Sequence, residues 1–423
     1  MATRLGGGPT PRKSHMRAGS EARWNRGAML RFLFVYFVLF YVLAPETTAW
    51  DWLVSWVAAH VLGIQLKIAD EMSGSGDRTS DWVRLFCVFV LAVFTTLLWC
   101  IVVRRNRGDE RVHAALRIGM RYMLATTMLG YGFAKLFPFQ FRALGPWHLM
   151  QAYGESSPMG LLWRFMGYSR AYAMFSGFAE VLGGLLLLSR RTTTLGALVL
   201  IGVMANVVML NFCYDVPVKI LSSHLLLLAV LLVLPDARRL ADMLVLHRPT
   251  TPVSLRPPFS TPRRRLMWMV AKSLVVTSLI GGTLFTNVAA WYEMRSGGFE
   301  PDVFEVDTFA HDGEVLPPLV TDTVRWRRLL VAPEGFVTVM KMNGSKLSYR
   351  FERSDDGVTL IFTPLEGHGG GILVETILDE EHRTYAGTLN DAALELHATR
   401  VHASDFPLMT RGFHWVTEVP FNR

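Results

Sequence analysis

The strongest constraint on this chain is a series of apolar blocks almost free of charge, each about 16 to 25 residues long. At about 1.5 Å per residue, one such block crosses the ~30 Å hydrocarbon core of a bilayer as a helix. Of 423 residues, 51% are hydrophobic and 18% charged, and the apolar ones are gathered into blocks instead of being spread as a soluble core requires. A polytopic membrane protein is expected. Seven spans are predicted, at 28–44, 82–103, 112–137, 169–188, 193–212, 218–234 and 266–290.

The charge is divided as sharply as the hydropathy. From Glu293 onward there are 21 acidic and 12 basic residues, a net −9, whereas the first 292 residues carry +17. The basic clusters Arg104/Arg105/Arg107, Arg190/Arg191 and Arg238 through Arg265 sit between apolar blocks. Seven crossings with the N-terminus inside place all of them on the cytoplasmic side, as the positive-inside rule requires. The acidic loop Asp70–Asp81 and the C-terminal region then lie outside. This is the pattern of a multi-pass membrane protein with a cytoplasmic N-terminus, with the bilayer and not nucleic acid as partner of the basic residues. Cys87 and Cys100 lie within one apolar block and Cys213 ends another, with no CxxC, so no disulfide framework is expected. All three cysteines read as buried small hydrophobes.

Domain limits follow from these patterns. Residues 1–27 are a Gly-, Pro- and Arg-rich cytoplasmic tail expected to be disordered. Residues 28–110 hold two spans, joined by an outer interfacial helix marked by Trp50, Trp52 and Trp56; the first reads as a retained signal anchor, with a signal peptide cleaved before Trp50 as the alternative. A four-helix core occupies 111–240, a basic cytoplasmic linker 241–265, and the seventh span 266–292. In 293–423 the periodicity changes to alternation. Leu347, Tyr349 and Phe351 share one strand face, as do Val358, Leu360 and Phe362, and Asn343-Gly344 and Asp356-Gly357 are hairpin turns. Seven or eight short strands fit into 324–401. The predicted fold is an α-helical polytopic bundle with a small C-terminal antiparallel β barrel or sandwich.

Ionisable groups inside apolar spans are costly and therefore candidates for function. Arg117, Arg121, Met128 and Lys135 follow 4-7-7 steps along one face of the third span. Glu180 lies near the middle of the fourth, in SGFAEVLGG, where Ser176, Gly177, Gly183 and Gly184 let another helix approach closely. Asn206 is on the fifth span and His224 on the sixth. Between them NFCYDVPVK, from Asn211, forms an outer turn in which Asp215 is expected to cap the sixth span and pair with Lys219. Two readings stand. A buried Glu180–Arg121 pair could fix helix register, or Glu180, Asn206, His224 and Lys135 could line a polar pocket open to the outside. His224 alone also reads as a core histidine bonded to a neighbouring helix. His397 and His402 lack metal-ligand spacing, and no metal site is expected. The final Phe413, Trp415, Val419 and Phe421 are predicted to dock on the barrel or the membrane domain, or to form a lid over the outer pocket.

The residues from Arg111 to Leu240 resemble the DoxX/DoxD-like family of small four-helix membrane proteins. RYMLATTMLGYGFAKLF (from Arg121) and FSGFAEVLGGLLLLSRRTTTLGALVL (from Phe175) carry the resemblance, with the Asn/His-bearing hairpin that follows. The family is similar to quinone-linked oxidoreductase subunits, including a thiosulfate:quinone component. The resemblance thus implies that Arg121, Lys135 and Glu180 line a quinone- or substrate-facing pocket, with Glu180 and Lys135 as catalytic candidates. The chain has no haem-ligand pair, flavin loop or P-loop, so redox chemistry would belong to the quinone or a partner subunit. The longer chain, with extra spans, a β domain and the Gly74–Asp77 loop, looks like a larger bacterial DoxX-like form. A non-enzymatic envelope protein anchoring a β domain that binds lipid or a periplasmic or membrane protein is the alternative. A third expectation, from architecture alone, is a quinol-coupled transferase resembling vitamin-K-dependent carboxylases, with Lys135 as base.

Overall fold

The structure is a computed structural model that describes residues 27–43, 48–66, 76–103, 109–250, 261–296, 301–332, 335–365, 369–412, 414–416 and 418. The expected tail, apart from Gly27, lies outside the described residues, as do Gly74, Ser75, residues 251–260 of the basic linker, Phe413, Val419 and Phe421. The chain divides into two compact units. One takes its residues from Met1–Phe133 and Ser176–Thr283, the other from Ala134–Phe175 and Leu284–Arg423.

The helices are α1 (Gly27–Val42), α2 (Thr48–Val57), α3 (Thr79–Val102), α4 (Asp109–Leu136), α5 (Pro146–Met150), α6 (Pro158–Tyr168), α7 (Arg170–Leu187), α8 (Thr193–Cys213), α9 (Lys219–Val233), α10 (Ala237–Leu244) and α11 (Pro262–Ser296). Four stretches are long and apolar enough to cross a membrane: Thr79–Val102, Thr193–Cys213, Lys219–Leu244 and Pro262–Glu293. The apolar helix Gly27–Val42 is shorter. Over the predicted third and fourth spans, α4 and α7 are helical, but buried Arg121, Lys135 and Glu180 interrupt their apolar faces.

In the first unit α4, α7, α8 and α9 share one core, built from Leu124, Met128, Leu187, Leu200, Met204 and Leu228, with Phe37 of α1 packed into it. Small residues set the spacing. A Cβ on Gly132 would lie 2.6 Å from Val181 Cγ2 and 2.8 Å from the Gly177 carbonyl oxygen, so glycine at 132 lets α4 come close to α7. A second cluster joins α2 to α3 through Trp50, Val54, Val83 and Cys87, with Trp52 and Trp56 exposed on the far side of α2. Arg31 of α1 is buried, donates to the Val103 carbonyl at 3.2 Å and lies over the Trp99 ring. It thereby closes the end of α3, where carbonyls lack helical donors. Cys87 and Cys100 are buried, whereas Cys213 is exposed, against the expectation for all three.

In the second unit the strands are β1 (Asp302–His311), β2 (Glu314–Val315), β3 (Trp326–Ala332), β4 (Phe336–Lys341), β5 (Lys346–Arg353), β6 (Thr359–Pro364), β7 (Gly371–Ile377), β8 (His382–Leu389) and β9 (Ala392–Arg400). Neighbours pair antiparallel, and β1 closes on β9 from Phe304↔Arg400 to His311↔Leu394, giving an eight-stranded barrel with β2 appended to β1. Tyr349, Leu360 and Phe362 point inward as their alternation predicted, while Val358 is exposed. Gly344 and Gly357 take positive φ in the two predicted hairpin turns. Phe309, Trp326, Tyr349 and Leu396 fill the interior, as expected for eight strands. A void of about 20 Å³ remains beside Leu373 and Glu375, too small for an acyl chain.

Candidate functional site

A cavity of 930 Å³ lies inside the second unit, where residues 134–175 meet one end of the barrel. The chain gets there by a sequence of stops. Pro138 follows α4 and prevents its continuation. Pro146 and Pro158 start α5 and α6 at positions where no amide N–H is needed, and Ser157 caps α6 by accepting from Gly160 N at 3.0 Å. Phe141 packs edge-on against Trp163, with ring centroids 5.3 Å apart. A Cβ on Gly167 would lie 2.4 Å from the Arg142 carbonyl oxygen, so glycine there lets the Arg142 segment pass against α6.

The wall of this cavity is cationic and apolar together. Lys135, Arg142 and Arg170 come from the helical side, Arg353, Arg400 and His402 from the barrel side, and Asp302 is the carboxylate among the lining residues. Pro138, Phe141, Val331, Phe351 and Val401 supply apolar surface between them. The barrel-side cations are held in place. Arg353 Nη2 meets Glu375 Oε2 at 2.7 Å and its Nη1 donates to the Gly357 carbonyl at 2.6 Å. Glu375 also accepts from the Tyr385 hydroxyl at 3.0 Å, and burial together with the Glu375 charge pushes the Tyr385 phenol up. Arg400 pairs with Asp302 across the β1–β9 seam, and His402 Nε2 lies 2.8 Å from Glu381 Oε2. Such a site suits an anion attached to an apolar body.

The residues predicted from sequence do not form a single pocket. Lys135 is buried and lines the cavity just described. Arg121, on the same α4 face, is 14 residues or about 21 Å away along the helix and lines a different cavity. Glu180 is 1% exposed, with Tyr131 within electrostatic reach. Asn206 is exposed on α8 and so does not join a polar pocket. His224 is the core histidine of the alternative reading: it stacks on Phe40 at 4.1 Å, meets the Tyr36 hydroxyl at 2.6 Å and bonds the Ile220 carbonyl. Asn211 is buried, and its Nδ2 has no hydrogen-bond partner among the described residues.

The outer turn corrects the expected cap. Asp77 caps α9, its two carboxylate oxygens accepting from Lys219 N at 2.7 Å and Ile220 N at 2.9 Å, while Gly76 N donates to the Pro217 carbonyl. Asp215 has φ 51° and an exposed side chain that pairs with Lys219 Nζ at 2.8 Å. Trp415 is 92% exposed, and the other apolar anchors of the C-terminal stretch, Phe413, Val419 and Phe421, lie outside the described residues. The sequence reading missed Arg142, Arg170, Arg353 and Arg400. Their only signal was local: a polar, aromatic segment between spans, and basic residues at strand ends.

Comparison with known proteins adds one relative. The chain is similar to the uncharacterized protein YwoB of Bacillus subtilis (strain 168), 34% identical over 137 residues that make up 32% of this chain and 87% of that protein. No family model and no solved structure matches the chain.

Proposed function

We propose that this chain, which belongs to one family with YwoB of Bacillus subtilis, is a multi-pass protein of the bacterial inner membrane that binds an anionic amphiphile in the 930 Å³ cavity. The observation that carries this reading is the lining: Lys135, Arg142, Arg170, Arg353, Arg400 and His402 interleaved with apolar residues, with Arg353, Arg400 and His402 held in place by Glu375, Asp302 and Glu381. A phosphate or carboxylate head would take charge-assisted hydrogen bonds from the guanidinium groups, each worth about 1.5–3 kcal/mol. The apolar body would lie on Phe141, Pro138 and Phe351. The positive-inside distribution supports an N-terminus in the cytoplasm and a barrel outside the membrane. The DoxX-like core and the count of seven spans belong to the same proposal. Because the barrel interior is filled, the ligand is placed at its end and not within it.

The test is lipid analysis of the full chain purified in mild detergent. An anionic amphiphile should be enriched over its share of the source membrane, and Arg142→Gln/Arg170→Gln should lose that enrichment. Equal enrichment in wild type and double variant would contradict the proposal.

A second reading, a quinone-linked oxidoreductase subunit of DoxX type, is favoured by one observation. Glu180 is a carboxyl group buried within an apolar helix, with Tyr131 in electrostatic reach, and a buried carboxyl of this kind would serve as the proton-relaying group of a quinone site. Co-purified quinone that is lost in Glu180→Gln, with anionic lipid unchanged, would favour this reading over the first.

A further inference from the structure

The first unit contains a cavity of its own, 400 Å³ in volume, where α4 meets the α7–α8 turn and the start of α10. Arg117, Arg121, Arg190, Arg191 and Arg239 line it, facing one carboxylate, Asp236. That carboxylate is already engaged. It accepts from Thr194 Oγ1 at 2.6 Å and lies 3.6 Å from Arg117 and 3.4 Å from Arg239.

Arg121 is in a different state. It is 5% exposed, and among the described residues no ion pair joins it and its Nε has no hydrogen-bond partner. Its contact is the ring of the adjacent Tyr122, 4.9 Å from the guanidinium carbon. A buried guanidinium without a counter-ion is costly, and the cavity it lines is where an anion would relieve that cost.

The start of α8 points to the same ligand. Thr193 and Thr194, in its first turn, belong to the wall. The N-cap Thr192 makes no side-chain cap bond and donates its hydroxyl to the Leu186 carbonyl at 2.6 Å, while Thr193 donates to Ser189 O at 2.8 Å. No acidic residue stands in that first turn. A 21-residue helix therefore brings unsatisfied amide N–H groups and the positive end of its dipole to a cavity that already holds an unpaired guanidinium.

A tetrahedral phosphate has enough oxygens to meet both donor sets at once. We propose that this cavity binds the phosphate group of a phosphate ester, with Arg121 and the α8 N-terminus as its inner partners and Arg191 at its exposed rim. The volume leaves room for the alcohol moiety. In the proposed topology this end of the bundle faces the cytoplasm, where both anionic phospholipid headgroups and soluble phosphate esters are present. The site is independent of the amphiphile cavity in the second unit.

The experiment uses the full chain in neutral detergent, in the Arg142→Gln/Arg170→Gln background so that the other cavity does not contribute. Glycerol 3-phosphate and phosphatidylglycerol in mixed micelles are titrated as separate probes, with diacylglycerol as the phosphate-free control. Saturable binding of either probe is expected, with dissociation constants raised about tenfold or more by Arg121→Gln and by Arg191→Gln. Binding of both probes identifies a site open to soluble esters, and binding of phosphatidylglycerol alone identifies a headgroup site. Should Arg121→Gln fail to fold, the exposed Arg191→Gln decides. No saturable binding of either probe, or unchanged affinity in Arg191→Gln, overturns the proposal.

Discussion

Replacing Asp77 by Ala removes the acceptor of two amide N–H groups at the start of α9, and nothing in the NFCYDVPVK turn is placed to substitute for it. The expected loss is about 1–2 kcal/mol, that of a good N-cap. Replacing Asp215 by Ala removes an ion pair whose carboxylate is 82% exposed, worth under about 1 kcal/mol. Thermal unfolding of the two variants in one detergent should rank Asp77→Ala clearly below Asp215→Ala, and the reverse order would refute the cap. The sequence pointed to Asp215 because it is adjacent. The real cap comes from 142 residues upstream, and a long-range hydrogen bond leaves no local periodicity to read. His224 was legible in one of its two readings because a lone histidine in an apolar helix needs a partner, and Tyr36 supplies it.

Among the elements, α4 and α7 approach each other closely at Gly132. Gly132→Leu would drive a side chain into Val181 and the Gly177 carbonyl, and overpacking of this kind costs about 1–3 kcal/mol. Gly130, which has open space at its Cβ position, should accept Ala with little change. Comparing the unfolding midpoints of Gly132→Leu and Gly130→Ala checks this; equal midpoints would contradict the close approach. The small residues of SGFAEVLGG announced such an approach, since only small side chains let helices come this near. The barrel was legible from β3 onward because alternation and hairpin glycines are strong signals. Strand β1 was not included, although it closes the barrel on β9. Its pairing shifts between Val306 and Thr308, so Phe304, Val306 and Phe309 are all buried with broken alternation.

At the scale of the molecule, Arg121 and Lys135 were placed at different depths of one helical face, Arg121 well inside and Lys135 near the outer end. Fourteen residues separate them by about 21 Å, which sends one side chain to each of two cavities. The cationic wall of the larger cavity draws on Arg142, Arg170, Arg353 and Arg400, which only the closed barrel and the helices of its own unit bring together. Its occupancy is the central claim. The most direct measurement is a density map, by electron cryomicroscopy, of the full chain in nanodiscs drawn from its source membrane. An elongated ligand is predicted in that cavity, with its head about 2.7–2.9 Å from guanidinium nitrogens of Arg142, Arg353 or Arg400 and its body against Phe141 and Phe351. Solvent-like density there, identical in wild type and Arg142→Gln/Arg170→Gln, would contradict it.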